Sequence, residues 1–597
     1  MRPPALVVLL LGLLLGATTA LAQWTPSGAS DWTPPDPAAL ERMARETLPV
    51  AVVSSTVNQR AFQERQLDYR AGVKAWLPLL AEIGIPYRVI GDYELETGIK
   101  PAAALILHNT DRLSDNQLKN IRAFHEAGGP VIIVGVAGKY TWEGGARSIS
   151  LPELWLGVQA PRPFVPAEMK SAFFTVRATS PLSLGVDPGY RFEVQWQGSF
   201  WYGTSDDPAT FLTDWGLTPN GPPARTIHTS TNSLLRVTPK ARMAWLGFGP
   251  GDLVTDGDAG PQVKAYFDTL LRWMLDRPVI ARPHWPGGKI GAAVVTTNIM
   301  DEISAEFAAL MCHEEQIKAT FFVVGKVARE RPELMAPLME NGEIANISYY
   351  NEEDGTIKGR PVEKQIKELA REVKFLTTSG IPRVVGYRPP LGEYDENTLI
   401  AAAHAGMDYF FGNEDFDRYW PVQKTLEGMM TITQFVRPAP DAYGVVHDEN
   451  GGTPETYTAA FQKHARRVWE LGALFPFIFH VNYQDQETNA ASISMFLAWL
   501  KEQPVWLTTF GGVVDWIRQR DTVTFSIDTI SGGREIALAN PTASPVVGYP
   551  LIYVPPTTAT QLISNPPPGV LVTPREPFGY LLEVNLEPYE TKRIYLN

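Results

Sequence analysis

Cysteine is nearly missing from this chain: Cys312 is the only one in 597 residues. A single thiol makes no intramolecular disulfide, no cysteine zinc cluster and no C-x-x-C redox pair. Basic tracts are missing as well. Lys and Arg number 52 against 65 Asp and Glu, the formal net charge is −13, and no five basic residues stand together. An electrostatic grip on nucleic acid or anionic lipid is therefore disfavoured. No G-x-G-x-x-G opens a helix, and neither G-x-x-x-x-G-K-[ST] nor G-x-S-x-G nor H-E-x-x-H occurs. Nucleotide-binding, serine-hydrolase and zincin readings thus lack support. What is there is 44% hydrophobic, 20% charged and 11% aromatic, the mixture of a multidomain globular protein.

Arg2, the apolar run Ala5 to Gly16 and then Ala20-Leu21-Ala22 have the pattern of a signal peptide over residues 1–22, cleaved before Gln23. The expectation is a secreted or periplasmic protein. The run is shorter than the ~20 residues of a membrane span and no later stretch reaches that length, so none is expected after cleavage. Residues 23–47 read as a Pro-rich linker. From Leu48 the texture becomes β-α-β-α-β: Val50-Ala51-Val52-Val53, Tyr87 to Ile90, Ala103 to His108 and Val131 to Val134 alternate with helical patterns. This predicts an open parallel α/β sheet over 48–170.

The same stretch resembles the class I glutamine amidotransferase-like domains. That resemblance implies a nucleophilic cysteine at a strand-to-helix elbow, and none is present, so a scaffold is expected. Residues 171–280 read as a β-rich extension with a closing helix from Val263 to Leu275. Their cluster Trp196, Trp201 and Tyr202 is a candidate carbohydrate platform, with core packing as the commoner fate of such rings. The short alternating runs of 521–597 predict a small β-sandwich.

Between 286 and 518 strands and helices alternate again. Lys318-Ala319-Thr320-Phe321-Phe322-Val323-Val324-Gly325, Arg388-Pro389-Pro390-Leu391-Gly392 and Ile478-Phe479-His480 resemble the NodB-homology polysaccharide deacetylases, in the motif order of that family. The resemblance implies a distorted (β/α)7 barrel acting on N-acetylated sugar polymers. It also implies a divalent metal, often zinc, on one Asp and two His, with a neighbouring Asp as base and a late His as acid. Those types suit the reaction: the metal polarises a poorly electrophilic acetamide, a carboxylate takes the water proton, and an imidazolium protonates the leaving nitrogen.

The chain departs from that pattern at its chemistry. Thr297 stands at the base position, Asn298 at the metal aspartate, and Ile347 and Asn351 at the two metal histidines. Isoleucine has no donor atom and a neutral amide oxygen binds transition metals poorly, so no metal and no cofactor are expected. His480 survives as a candidate acid and Arg388 as an orienting or substrate-binding group. Asp301, Glu302 and Glu353 are candidate replacement bases, and Trp420 is a candidate sugar contact.

The expected function is that of an exported carbohydrate-associated protein, binding a polysaccharide or oligosaccharide without ordinary metal-dependent N-deacetylation. An active deacetylase or glycan hydrolase with relocated groups is the alternative. A structural partner in envelope or exopolysaccharide assembly is a third.

Overall fold

The computed structural model describes residues 47–597 except 164–170, 196–199, 206–211, 219–224, 228–229, 239–240, 349–355, 414–419, 429, 437–451, 482–485, 531–532, 556–565, 576–578 and 597. The expected leader, the linker up to residue 46, and Trp196, Asn351 and Glu353 lie outside the described residues. No described helix is long and apolar enough to cross a membrane.

The apolar runs seen in the sequence become strands β1 (Val50–Val53), β2 (Tyr87–Ile90), β3 (Leu105–His108) and β4 (Val131–Val134). All four are parallel, in the spatial order β2-β1-β3-β4. Helices α1 (Thr56–Gln63), α2 (Tyr69–Ile83) and α3 (Asp115–Glu126) connect them. Gly84, at φ 77°, stops α2 in the left-handed conformation that glycine adopts without strain. Ser114 and Gln117 open α3 with a reciprocal capping box.

Two strands from farther along complete this sheet. β5 (Ser233–Val237) and β6 (Arg242–Leu246) form a hairpin, with β6 parallel to β4 and β5 antiparallel at the edge. The wholly parallel sheet expected over 48–170 is therefore a mixed six-stranded one, because a tight hairpin reverses its last strand. Helix α4 (Ala259–Met274) buries Phe267, Leu270 and Met274 in a core shared with β1, β4 and β6.

His108 ends β3 wholly enclosed. Its Nδ1 accepts the Trp76 indole N–H at 3.3 Å, and burial pushes the imidazole down to about 4. An unfolded histidine titrates near 6.5, so as pH falls the unfolded chain takes up the proton first. The stability held above pH ~6.5 is lost between there and ~4, by roughly 3 kcal/mol for this one group. His284, pushed down to about 3 by burial, acts in the same direction from the same starting pH and extends the loss further down. In His108→Gln the fall in urea midpoint between pH 7 and pH 4.5 is expected to be markedly smaller than in the parent; an unchanged fall would rule out this source of acid sensitivity.

The central part is a curled sheet. Its strands are β7 (Ala292–Ile299), β8 (Ala319–Val324), β9 (Gly342–Ser348), β10 (Gly386–Tyr387), β11 (Tyr409–Gly412), β12 (Val422–Leu426), β13 (Met430–Val436), β14 (Leu474–Phe479) and β15 (Trp506–Thr508). The order is β12-β13-β11-β10-β9-β8-β7-β14, with β15 also on β7. The sequence predicted a (β/α)7 barrel; the described strands make an open curl in which β12 runs antiparallel to β13.

Aromatic rings fill the concave side. Phe510, which begins helix α7 (Phe510–Thr522), lies 4.6–5.6 Å from the rings of Phe411, Phe435 and Tyr409. Gly386 is required here, since a Cβ would fall 1.9 Å from Tyr409 Cζ. At the N-terminal ends of the strands, Glu343 accepts the Tyr409 hydroxyl at 2.7 Å and the Gly511 N–H at 2.9 Å. Burial pushes its carboxyl upward. Tyr409→Phe takes one donor from this buried group and is expected to cost about 1–3 kcal/mol in a denaturant titration.

The C-terminal strands form two antiparallel sheets around one core that includes Leu538, Leu551, Leu582 and Ile594. A short stretch past the closing helix supplies one of their strands: Val279–Ala281 pairs with Ile552–Val554.

Candidate functional site

The C-terminal ends of β7, β9, β10, β11 and β14 bring together most of the surviving motif residues. On β7, Asn298 pairs with Phe322, whose ring reaches Phe411 and Phe510, so strand alternation puts Asn298 on the concave face. Its Oδ1 is buried and has no hydrogen-bond partner among the described residues. Thr297 pairs with Phe321 and Phe479, is wholly buried, and its hydroxyl likewise lacks a partner.

On β9 a register shift between Val323 and Val324 skips Ile347, which sits in the apolar core. The bulge places Ser348 at φ 140°, and the flanking Asn346 donates its amide to Glu372 at 2.9 Å. The position where the resemblance implies a metal histidine is thus a packed hydrocarbon.

Arg388 follows β10 and is buried. Its backbone N–H donates to Asn346 O at 2.8 Å, and its guanidinium lies 4.9 Å over the Phe411 ring. The next residues form a tight turn in which Leu391 takes φ 58° while its side chain is 54% exposed. Exposing an apolar side chain on strained backbone is a feature of binding sites. His480, half-buried, directly follows Phe479, the partner of Thr297; its carbonyl accepts the Asn489 amide at 2.9 Å.

Asn413, just past β11, is not among the candidate site residues that the sequence offers. Its Nδ2 donates to Leu391 O and its backbone N–H to Gly392 O, both at 2.9 Å, which fixes the amide and leaves a buried Oδ1 with no partner among the described residues. A Cβ on Gly392 would meet Asn413 Cγ at 2.4 Å. The glycine of R-P-P-L-G was the available signal, since so close an approach admits no side chain.

Of the candidate replacement bases, the two described ones, Asp301 and Glu302, have structural partners. Asp301 caps helix α8 (Glu302–Glu314), where its carboxylate accepts the Ser304 N–H at 2.7 Å. Glu302 forms an ion pair with Arg331. Trp420 does not join the strand ends: it packs at 5.0 Å on Trp285, which precedes β7, and carries Arg520 at 5.1 Å. Trp201 and Tyr202 belong to the N-terminal cores, with Tyr202 stacked on Trp215 at 4.5 Å. Cys312 is buried on α8, its thiol pushed up to about 12.

The cluster therefore consists of one arginine, one histidine and two amide oxygens, next to the strand motifs of residues 318–325 and 388–392. Residues 302–410 match the polysaccharide deacetylase family. The deacetylase match begins just past Asn298, so the strand carrying the altered first motif lies outside it.

Among curated proteins, the chain is 30% identical over 95 residues to a chitooligosaccharide deacetylase of Sinorhizobium fredii, covering 16% of this chain and 43% of that protein. It is 27% identical over 163 residues to one of Rhizobium leguminosarum bv. phaseoli, covering 27% and 68%. The chain thus spans less than half the length of the Sinorhizobium protein. Among solved structures, a peptidoglycan deacetylase of Bacillus subtilis aligns at 15% identity and TM-score 0.29, over 39% of this chain and 94% of that one. A CE4-family pseudoenzyme of Bacillus anthracis aligns at 15% identity and TM-score 0.27, over 40% and 68%.

The deacetylase metal does not fit the residues described. Ile347 offers no donor atom, and Asn298 offers a neutral oxygen. No group of three His, Cys, Asp or Glu side chains able to hold a metal ion occurs among the described residues.

Proposed function

We propose that this chain is an exported carbohydrate-associated protein that binds a neutral or N-acetylated glycan at the C-terminal ends of the curled sheet, without metal-dependent N-deacetylation. The observation that carries this reading is the pair of buried amide oxygens, Asn298 Oδ1 and Asn413 Oδ1, on the strand ends that also hold Arg388. A buried acceptor without a donor costs about 1–3 kcal/mol, and a ligand bringing O–H or N–H groups relieves that cost. Sugar hydroxyls and acetamido N–H groups are such donors. The deacetylase match supports the carbohydrate class. The N-terminal sheet, with no cysteine among its strands, serves as a scaffold. Export rests on the Arg2 to Ala22 pattern, and sequencing the N-terminus of the protein recovered outside the cytoplasm tests it, with Gln23 expected first.

The reading is tested by calorimetric titration of N-acetylglucosamine oligomers into the protein and into Arg388→Met. Binding by the parent and a loss of at least about tenfold in the variant are expected, as for removal of a charge-assisted hydrogen bond worth about 1.5–3 kcal/mol. Equal affinities would move the ligand elsewhere. The competing enzyme reading requires His480 to act as acid, so acetate release that disappears in His480→Ala would favour it.

A further inference from the structure

A cavity apart from the strand ends lies where residues 184–187, 265–284 and 520–527 meet. It has a volume of about 420 Å³ and is walled by helix α4, the strand Val279–Ala281 with Arg282, the end of α7, and Phe525 to Ile527. Ligand pockets typically occupy ~300–1,000 Å³. In a chain of net charge −13, three arginines line this one space: Arg272, Arg282 and Arg520.

Each is held by the protein through part of its guanidinium. Arg272 uses Nε alone, on both oxygens of Asp268 at 2.9 and 3.0 Å. Arg282 donates from Nε to the Tyr549 hydroxyl at 3.2 Å and from Nη2 to Val523 O at 2.8 Å, with its guanidinium 5.2 Å over the Phe525 ring. Arg520 pairs through Nε and Nη2 with Asp521 at 2.8 and 3.1 Å. Among the described residues, both terminal nitrogens of Arg272, and Nη1 of Arg282 and Arg520, have no hydrogen-bond partner and can meet a ligand. The carboxylates of Asp187, Asp268 and Asp521 line the same walls. Asp187 Oδ2 accepts the Gln262 amide N–H at 2.8 Å, which leaves Oδ1 as an acceptor among the described residues.

Three guanidinium groups and three carboxylates around one cavity disfavour a compact, multiply charged anion, which the carboxylates would repel. They also disfavour a plain sugar, which would leave Arg282, held only by the neutral Tyr549 hydroxyl and Val523 O among the described residues, without a charged acceptor. We infer that this junction is a binding site for a sugar acid, a singly charged ligand whose carboxylate meets the arginine edges and whose hydroxyls meet the aspartate oxygens. Guanidinium edges recognise a planar carboxylate through paired hydrogen bonds. This inference does not depend on the glycan site at the strand ends.

Titration calorimetry of the full chain at pH 7 with glucuronate, glucose and inorganic phosphate tests it. Glucuronate is expected to bind, and Arg272→Gln, a change at a partly exposed position, to weaken it at least tenfold. Glucose and phosphate are expected to give no saturable heat, and Asn298→Leu to leave glucuronate affinity unchanged. The site assignment is overturned if glucuronate gives no saturable heat, if Arg272→Gln binds it as tightly as the parent, or if phosphate binds equally well. Loss of glucuronate affinity in Asn298→Leu would place the ligand at the strand ends and overturn it too.

Discussion

Asn298→Leu is expected to make the protein more stable and a poorer glycan binder. Asn298 Oδ1 is buried beside the Phe322 strand with no donor among the described residues, a cost of about 1–3 kcal/mol in the unliganded protein. Leucine has a similar shape and no polar atom, so the substitution removes the cost and adds apolar contact with the aromatic fill. The urea midpoint should therefore rise. The same change deletes an acceptor for a sugar hydroxyl, and affinity for N-acetylglucosamine oligomers should fall at least tenfold, which is about 1.4 kcal/mol. Opposite signs in the two measurements mark a residue kept for binding rather than for folding. If Asn298→Leu destabilises the protein, or leaves affinity intact, the amide has another role.

Trp285→Ala is expected to have the largest effect on stability, about 3–5 kcal/mol. The ring is wholly buried between Trp420 at 5.0 Å and Trp506 at 6.2 Å, and its N–H donates to Gly472 O at 2.7 Å. These contacts tie edge strand β12 to the starts of β7, β14 and β15, where the described sheet has no hydrogen-bonded closure. Denaturant unfolding followed by far-UV dichroism and by tryptophan fluorescence measures the loss. A change below about 1 kcal/mol would show that the cluster does not hold the curl together. Trp420→Ala, at the half-buried end of the cluster, should cost less and leave glycan affinity unchanged, since Trp420 is away from Arg388 and Asn298.

Much of the fold is legible in the residues because short apolar runs bounded by capping signals have few alternatives. β1 to β4 and the Ser114 box stand where composition places them. Strand Val279–Ala281 is not legible: three residues carry no period, and only pairing with Ile552–Val554 makes them a strand. The β-rich reading of 171–280 covers β5 and β6, but their joining of the sheet that β1 to β4 begin is a tertiary fact. At the site, the substitutions at 297, 298 and 347 are visible from motif spacing alone. Asp301 illustrates the opposite case. Asp301-x-x-Ser304 before an apolar helix is a capping pattern, and the carboxylate that looked available as a base is used to start α8. Asn413 is signalled only indirectly, by Gly392, because its role comes from the Leu391–Gly392 turn folding against it.

The central claim is that glycan binding persists here after the metal chemistry has been lost. It is tested most directly by calorimetric titration of an N-acetylglucosamine oligomer into the protein after exhaustive chelation and again with zinc restored. The expected result is the same affinity in both states, with the oligomer recovered fully acetylated. Binding that appears only with zinc, or an oligomer recovered with free amines, would contradict it.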